Sequence, residues 1–408
     1  MESDRIERDS KEKLPKNVVW LSLAAMFNDM SGEIIGRALP LFLAGTLGIS
    51  KSIIGLIEGF ADTTSSIFKI LSGWYSDKWG KRQSITAFGY SLTTVSRPLL
   101  LLTTNWVVPF ISRFLDRTGK GIRTSPRDAL IADSVAPEMR GRAFGLHRAL
   151  DPLGAVFGAI GAAVLLWQFS DAASIFESSV TISEEAFKWM VIIGAIPTVI
   201  SALIVIFLVK DVVRPGPVSK APSKLLGAGI DKRFNKYLLY TIVFTLGASS
   251  DAFLLLRAQS LGVSAAEIFL MIAGLNIVTT LSAYPAGIIS DKLGRKNVIV
   301  AGWIYYALMY AAFAFATESW HMWLLFTAYG LFYGLTEGVE KAYVADLVLP
   351  DKRGAAFGLY NGAVGIILLP ASLIAGVLWQ SFGPQAPFVF GAVIAMIGAL
   401  LLANLRTE

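Results

Sequence analysis

Cysteine is absent from the 408-residue chain, which excludes a disulfide framework and any thiolate-held metal. Histidine is nearly absent as well: His147 and His321 stand too far apart for a histidine-rich metal cluster. Charged residues make up only 16% of the chain, against about 25% in an ordinary soluble domain. The Gly-x4-Gly-Lys-Ser/Thr spacing of a phosphate loop is missing. Gly119-Lys120-Gly121 is the nearest approach to it and falls inside a helical stretch, so nothing supports ATP hydrolysis. No nucleophile–base pair or metal constellation is found, so neither an enzyme nor a cofactor is expected. The polar first 16 residues lack the apolar stretch and cleavage site of a signal peptide and read as a tail.

What the chain has in excess is apolar surface: 54% of its residues are hydrophobic. The excess comes in blocks of about 20 residues, the length a helix needs to cross a hydrocarbon core. Helices are expected at 18–46, 53–76, 84–104, 106–133, 142–167 and 187–209. A second set is expected at 237–259, 265–290, 297–316, 321–347, 354–380 and 385–404. Residues 210–236, with Pro215, Pro217, Pro222, Gly216 and Gly227, have the composition of a linker. The expected domains are a tail (1–16), a first six-helix unit (17–209), the linker (210–236) and a second six-helix unit (237–408).

Basic residues collect on one side of these blocks: the tail, Lys78, Lys81, Arg82, Arg140, Arg142, the linker, Lys292, Arg295, Lys296, Lys352, Arg353 and Arg406. The other side carries Asp171, Glu177, Glu184, Glu185 and Glu318. The positive-inside rule then places the basic side, with both termini, in the cytoplasm of a bacterial or archaeal cell. The net charge of +6 has the same origin, and no basic patch elsewhere suggests a nucleic-acid partner.

The two halves repeat one another. GWYSDKWGKR at 73–82 matches GIISDKLGRK at 287–296, an offset of 214. IADSVAPEMRGRAFGL at 131–146 matches VADLVLPDKRGAAFGL at 344–359, identical at ten of sixteen positions with an offset of 213. Two matched segments at one spacing establish a duplication with parallel halves.

With these segments the chain resembles the major facilitator superfamily. The pattern Gly-x-x-x-Asp-x-x-Gly-Arg/Lys-Arg/Lys between the second and third helices of each half carries the resemblance. Here it reads Gly73, Asp77, Gly80, Lys81, Arg82 and again Gly287, Asp291, Gly294, Arg295, Lys296. The resemblance implies an all-α membrane protein with twelve transmembrane helices in two six-helix bundles, rocking about a central cavity. It also implies a monomer working in the lipid bilayer on a small-molecule substrate, often with protons. In the motif, the small glycine lets two helices approach. The aspartate sits at a helix C-terminus, where the dipole disfavours an anion. It therefore needs cationic or helix-N-terminal partners, and Arg140 and Arg353 are candidates. Such a charged latch would hold one gate shut. Antiporters of the family often carry a Gly-Pro-rich motif in the fifth helix; this chain has Asp151-Pro152-Leu153-Gly154, with Asp in the place of Gly.

Ionisable residues within the membrane cost about 2.5–3.5 kcal/mol each on insertion scales, so each is a functional candidate. The first helix carries Asp29, Glu33 and Arg37 at i, i+4 and i+8, on one face. In the fourth, positions 113, 116, 117, 120, 124 and 127 form a stripe with five charges among six residues. The resemblance implies that these two helices line the cavity. Arg37, Arg113, Arg117 and Lys120 are then candidates to bind an anionic part of the substrate. Asp29, Glu33, Asp62 and Asp151 are candidates to carry a proton. A structural salt-bridge network inside the first bundle is the competing reading. In the second half, Asp251, Tyr333 and Tyr360 are candidate substrate contacts. The reading is a proton-coupled secondary transporter of a charged or zwitterionic small organic molecule, with export slightly favoured. Uptake of an organic anion, amino acid or siderophore-like compound by proton symport, and a non-transporting sensor on the same fold, stand as alternatives.

Overall fold

The computed structural model describes residues 13–49, 51–169, 182–212, 232–248, 252–263 and 265–405. Most of the expected tail and linker lies outside these residues. The first half folds as α1 (Lys16–Gly45), α2 (Lys51–Trp79), α3 (Arg82–Ser96), α4 (Val107–Asp133), α5 (Arg140–Phe169) and α6 (Glu184–Phe207). The second half folds as α7 (Lys232–Gly247), α8 (Ala252–Ser260), α9 (Ala265–Leu293), α10 (Arg295–Phe315), α11 (Ser319–Asp346), α12 (Arg353–Phe382) and α13 (Ala386–Ala403). The described residues contain no strand. Within the seventh expected span the described helices are α7 and α8. The third ends early because Pro98 cannot continue an α-helix; a 3-10 turn over Pro98–Leu102 completes it.

Among the described residues, seven helices are long and apolar enough to cross a membrane on their own. The others fall short for identifiable reasons. α2, α4 and α11 carry ionisable side chains along one face, and α3, α7 and α8 are short. Large apolar side chains instead cover the outer surface: Leu281 is 70% exposed and Phe315 77%. Such a surface is stable only against lipid, and the protein is a multi-pass membrane protein.

In the first bundle α1 packs on α5 and α6, and α4 packs on α2 and α3. In the second, α9 packs on α11, and α10 and α13 pack on one another. The second bundle has an aromatic core, in which Phe244 stacks on Trp303 at 4.4 Å and Tyr306 on Tyr310 at 4.2 Å. The two bundles meet along α2–α12 and α5–α9. Backbones nearly touch there: a Cβ on Gly73 would collide with the Gly354 carbonyl, and one on Gly141 with the Gly287 carbonyl. The motif glycines Gly80 and Gly294 have a different task. They turn the chain at the ends of α2 and α9 with φ of 70° and 86°, a conformation that disfavours a side chain.

Candidate functional site

Charged side chains of α1 and α4 converge on a cavity of about 330 Å³ inside the first bundle. α1 contributes Asp29 and Glu33, one helical turn apart, and α4 contributes Arg113, Asp116, Arg117, Lys120 and Arg123. Arg97, at the end of α3, completes the ring. Among the described residues, five cationic groups (Arg97, Arg113, Arg117, Lys120, Arg123) face three carboxylates (Asp29, Glu33, Asp116), a formal excess of two positive charges. Helix walls of low polarisability surround the cavity, so charge interactions there are stronger than on a soluble surface.

The ring has a structural side and an open side. Arg97 pairs with Asp116 at 3.3 Å and donates to the Asn28 carbonyl at 3.1 Å, tying α3 to α4 and α1. Arg113 reaches the other oxygen of Asp116 at 3.9 Å. Arg123 donates to Thr93 at 2.7 Å and lies 4.6 Å above the Tyr90 ring. Lys120 lies in the opposing fields of Arg117, Lys69 and Asp29. Asp29 accepts from Asn28 at 3.2 Å and also feels Asp151 and Lys120.

The structure therefore gathers five of the expected residues, Asp29, Glu33, Arg113, Arg117 and Lys120, in one place. Asp151, on α5, is not among the cavity-lining residues but is close enough to act on Asp29, and it pairs with Arg148 at 3.2 Å. Tyr333 packs 5.2 Å from Tyr329 in the second bundle's aromatic core. The Tyr360 hydroxyl donates to Glu340 at 2.5 Å. The side chains of Arg37 and Asp62, and the whole of Asp251, lie outside the described residues. Arg97, Asp116 and Arg123 complete the cavity although sequence reasoning had not singled them out as site residues. Arg97 is the one charged residue of the expected span 84–104, and its charge alone was the available signal.

The seam between the bundles is built from the repeated segments. Asp77 accepts from the backbone N–H groups of Gly354 and Ala355 at 2.9 and 2.6 Å, the first turn of α12. Asp291 does the same with Gly141 and Arg142 at 2.8 and 2.9 Å, the first turn of α5. Each motif aspartate thus caps a helix of the opposite bundle, where unpaired N–H groups and the dipole favour an anion. The cationic partners differ from expectation. Asp77 pairs with Arg82 at 2.7 Å and Asp291 with Arg295 at 2.9 Å, both from the motif itself. Arg353 instead reaches Asp133 at 2.6 Å, and Arg140 reaches Asp346 at 2.5 Å. The reason is geometric: the helix termini already fill the space in front of each motif aspartate. Arg82 also bonds Asp133 and the Pro350 carbonyl, while Arg295 bonds Asp346 and the Pro137 carbonyl. Deeper in the seam, Arg148 pairs with Glu337 at 3.3 Å and Lys341 with Asp128 at 2.7 Å, again across bundles. The seam is closed at its basic end.

The sequence model of the Major Facilitator Superfamily matches residues 21–254 and 237–408. An uncharacterised MFS-type transporter of Methanocaldococcus jannaschii is 35% identical over 401 residues, covering 97% of this chain and 96% of that protein. The class C tetracycline resistance protein of Escherichia coli is 30% identical over 128 residues, 31% of this chain and 32% of that protein. Among solved structures, the E. coli fucose:proton symporter superposes with a TM-score of 0.77 at 12% identity, covering 96% of this chain and 98% of that one. The closed seam, the twelve-span fold in two bundles and these matches agree: the chain is a transporter-type protein, not an enzyme, and belongs to the Major Facilitator Superfamily.

Proposed function

We propose that the protein is a proton-coupled secondary transporter of a small organic molecule bearing a negative charge, either an anion or a zwitterion. The observation that carries this reading is the surplus of two positive charges among the described residues of the cavity. Arg117 and Lys120, close together on the cavity face of α4, bind the anionic group. Asp29 exchanges the proton: it faces the same space, and no arginine or lysine among the described residues pairs with it. Loading a substrate anion near Lys120 changes the field at Asp29, which couples the two events.

The basic end of the molecule is assigned to the cytoplasm. The described arrangement is then the state closed to the cytoplasm, and transport alternates between this seam and an opposite one. Export is favoured over uptake by the partial similarity to a tetracycline resistance protein. The alternative, uptake by symport, shares the same cavity chemistry and differs only in direction.

The test uses proteoliposomes containing a pH-sensitive dye and a panel of organic anions, zwitterions and cations. Proton flux that depends on anions or zwitterions, and is lost in Asp29→Asn and Arg117→Ala, is the expected result. Flux of cations alone, or substrate flux without proton movement and indifferent to both substitutions, would rule the reading out.

A further inference from the structure

Glu340 lies on α11 at the core of the second bundle, and its two carboxylate oxygens have different partners. Trp303 donates its indole N–H to Oε1 at 2.7 Å, and Tyr360 donates its hydroxyl to Oε2 at 2.5 Å. Neither donor is charged. Among the described residues no lysine or arginine pairs with Glu340, whereas Asp128, Asp133, Asp151 and Glu337 along the same seam each have one. A carboxylate at membrane depth without a cation is costly in its ionised form, and binding a proton removes that cost.

The partners also determine where a proton would go. Trp303 is fully buried and stacked on Phe244, so its donor is fixed in place. An indole N–H only donates, so Oε1 remains an acceptor whether or not the group is protonated. The phenol of Tyr360 both donates and accepts. It can turn and accept from a protonated Oε2, provided that its own hydrogen finds another acceptor. Tyr237 meets that need. It is 0% exposed, its ring stacks 6.2 Å from that of Tyr360, and its hydroxyl lies within interaction range of the Tyr360 hydroxyl.

We propose that Glu340 is a proton-binding site of the second half, with Oε2 as the atom that takes the proton and Tyr360–Tyr237 as a hydroxyl pair that reverses direction when it does. The step conserves atoms: one proton joins Oε2, the Tyr360 hydrogen turns to the Tyr237 oxygen, and both moves reverse on release. The inference rests on the proton-coupled reading and gives it a second site. The charged groups around it are engaged elsewhere. Glu337, one turn earlier on α11, pairs with Arg148 of α5, and Lys341 turns to Asp128 of α4. Glu340 is only half-buried, so it is not sealed off from its surroundings.

The test is pH-difference infrared spectroscopy on the purified full chain in phosphatidylethanolamine–phosphatidylglycerol vesicles, with no substrate present. A carboxylic-acid C=O band that titrates, vanishes in Glu340→Gln and changes frequency in Tyr360→Phe is expected, together with a tyrosine ring signal lost in Tyr360→Phe. Spectra of Glu340→Gln identical to those of the unaltered protein would overturn the proposal. Should Glu340→Gln fail to fold, the Tyr360→Phe spectrum decides, and an unmoved band overturns it. This readout is separate from transport: a failed band condemns only Glu340, whereas absent proton flux in the proteoliposomes condemns the coupled-transport reading.

Discussion

Asp128 and Lys341 stand 213 residues apart, the spacing of the repeat, and their side chains meet at 2.7 Å across the seam. They are equivalent positions of the two halves, RDALIAD at 127–133 against EKAYVAD at 340–346, with both charges reversed. Equivalent residues meet each other only near the pseudo-twofold axis between the halves. Like charges there would repel, so the reversal turns a symmetric position into an ion pair.

Lys341→Met leaves Asp128 with Arg127 at 3.1 Å, whereas Asp128→Leu takes from buried Lys341 the carboxylate it pairs with. Asp128→Leu is expected to destabilise the protein by about 3–5 kcal/mol. Asp128→Leu with Lys341→Met is expected to cost less than the two single changes added together. Denaturant unfolding of the four proteins in detergent gives the coupling energy directly. A value near zero would mean that the two residues do not stabilise the seam jointly.

The seam should loosen when its deep ion pairs go. The chain has no cysteine, so Ser290→Cys provides a single label site without further changes. Ser290 is 1% exposed beside the Gly141–Gly287 contact. Maleimide labelling of this variant is expected to be slow and to accelerate several-fold when Arg148→Gln is added. Equal rates would show that Arg148 does not hold the seam shut.

The two basic positions of each motif copy are not interchangeable. In the first copy the second position, Arg82, bonds Asp77, Asp133 and the Pro350 carbonyl. In the second copy the first position, Arg295, takes that role, while Lys296 bonds the carbonyls of Ala403 and Leu405 at the end of α13. Arg82→Gln and Arg295→Gln should therefore abolish transport of whichever panel compound the protein moves. Lys81→Gln, on an exposed side chain, should leave it nearly unchanged. Equal losses in all three would contradict this assignment.

Within the cavity, structural and binding charges should separate by experiment. Asp116→Asn strips the partner from Arg97 and Arg113 and is expected to lower stability by about 3–5 kcal/mol. Lys120→Gln should leave the unfolding midpoint nearly in place and weaken binding of the anionic panel compounds. Thermal unfolding and equilibrium binding on the same preparations distinguish the two roles.

Much of the fold was legible because a membrane imposes few choices. Apolar blocks of the right length, basic loops on one side and two matched segments sufficed to expect twelve spans in two parallel halves. Half of the candidate site was legible too, since Asp29, Glu33, Arg113, Arg117 and Lys120 follow helical spacing on α1 and α4. Local periodicity reports which residues share a face of one helix. It carries no information about which face of another helix lies opposite.

The sequence by itself determined the number of spans, the duplication and the chemistry of each polar face. Only the tertiary structure decided the partners. Asp77 and Asp291 bind helix termini of the opposite bundle, and Arg140 and Arg353 are left for Asp346 and Asp133. Glu340 shares a helix face with Glu337 in the sequence, but what distinguishes it is the absence of a paired cation among the described residues, together with Trp303 and Tyr360 brought in from α10 and α12. The physical reason is common to all three. Ion pairs and buried hydrogen bonds depend on distances of about 3 Å between residues remote in the chain, and only packing of the helices sets those distances.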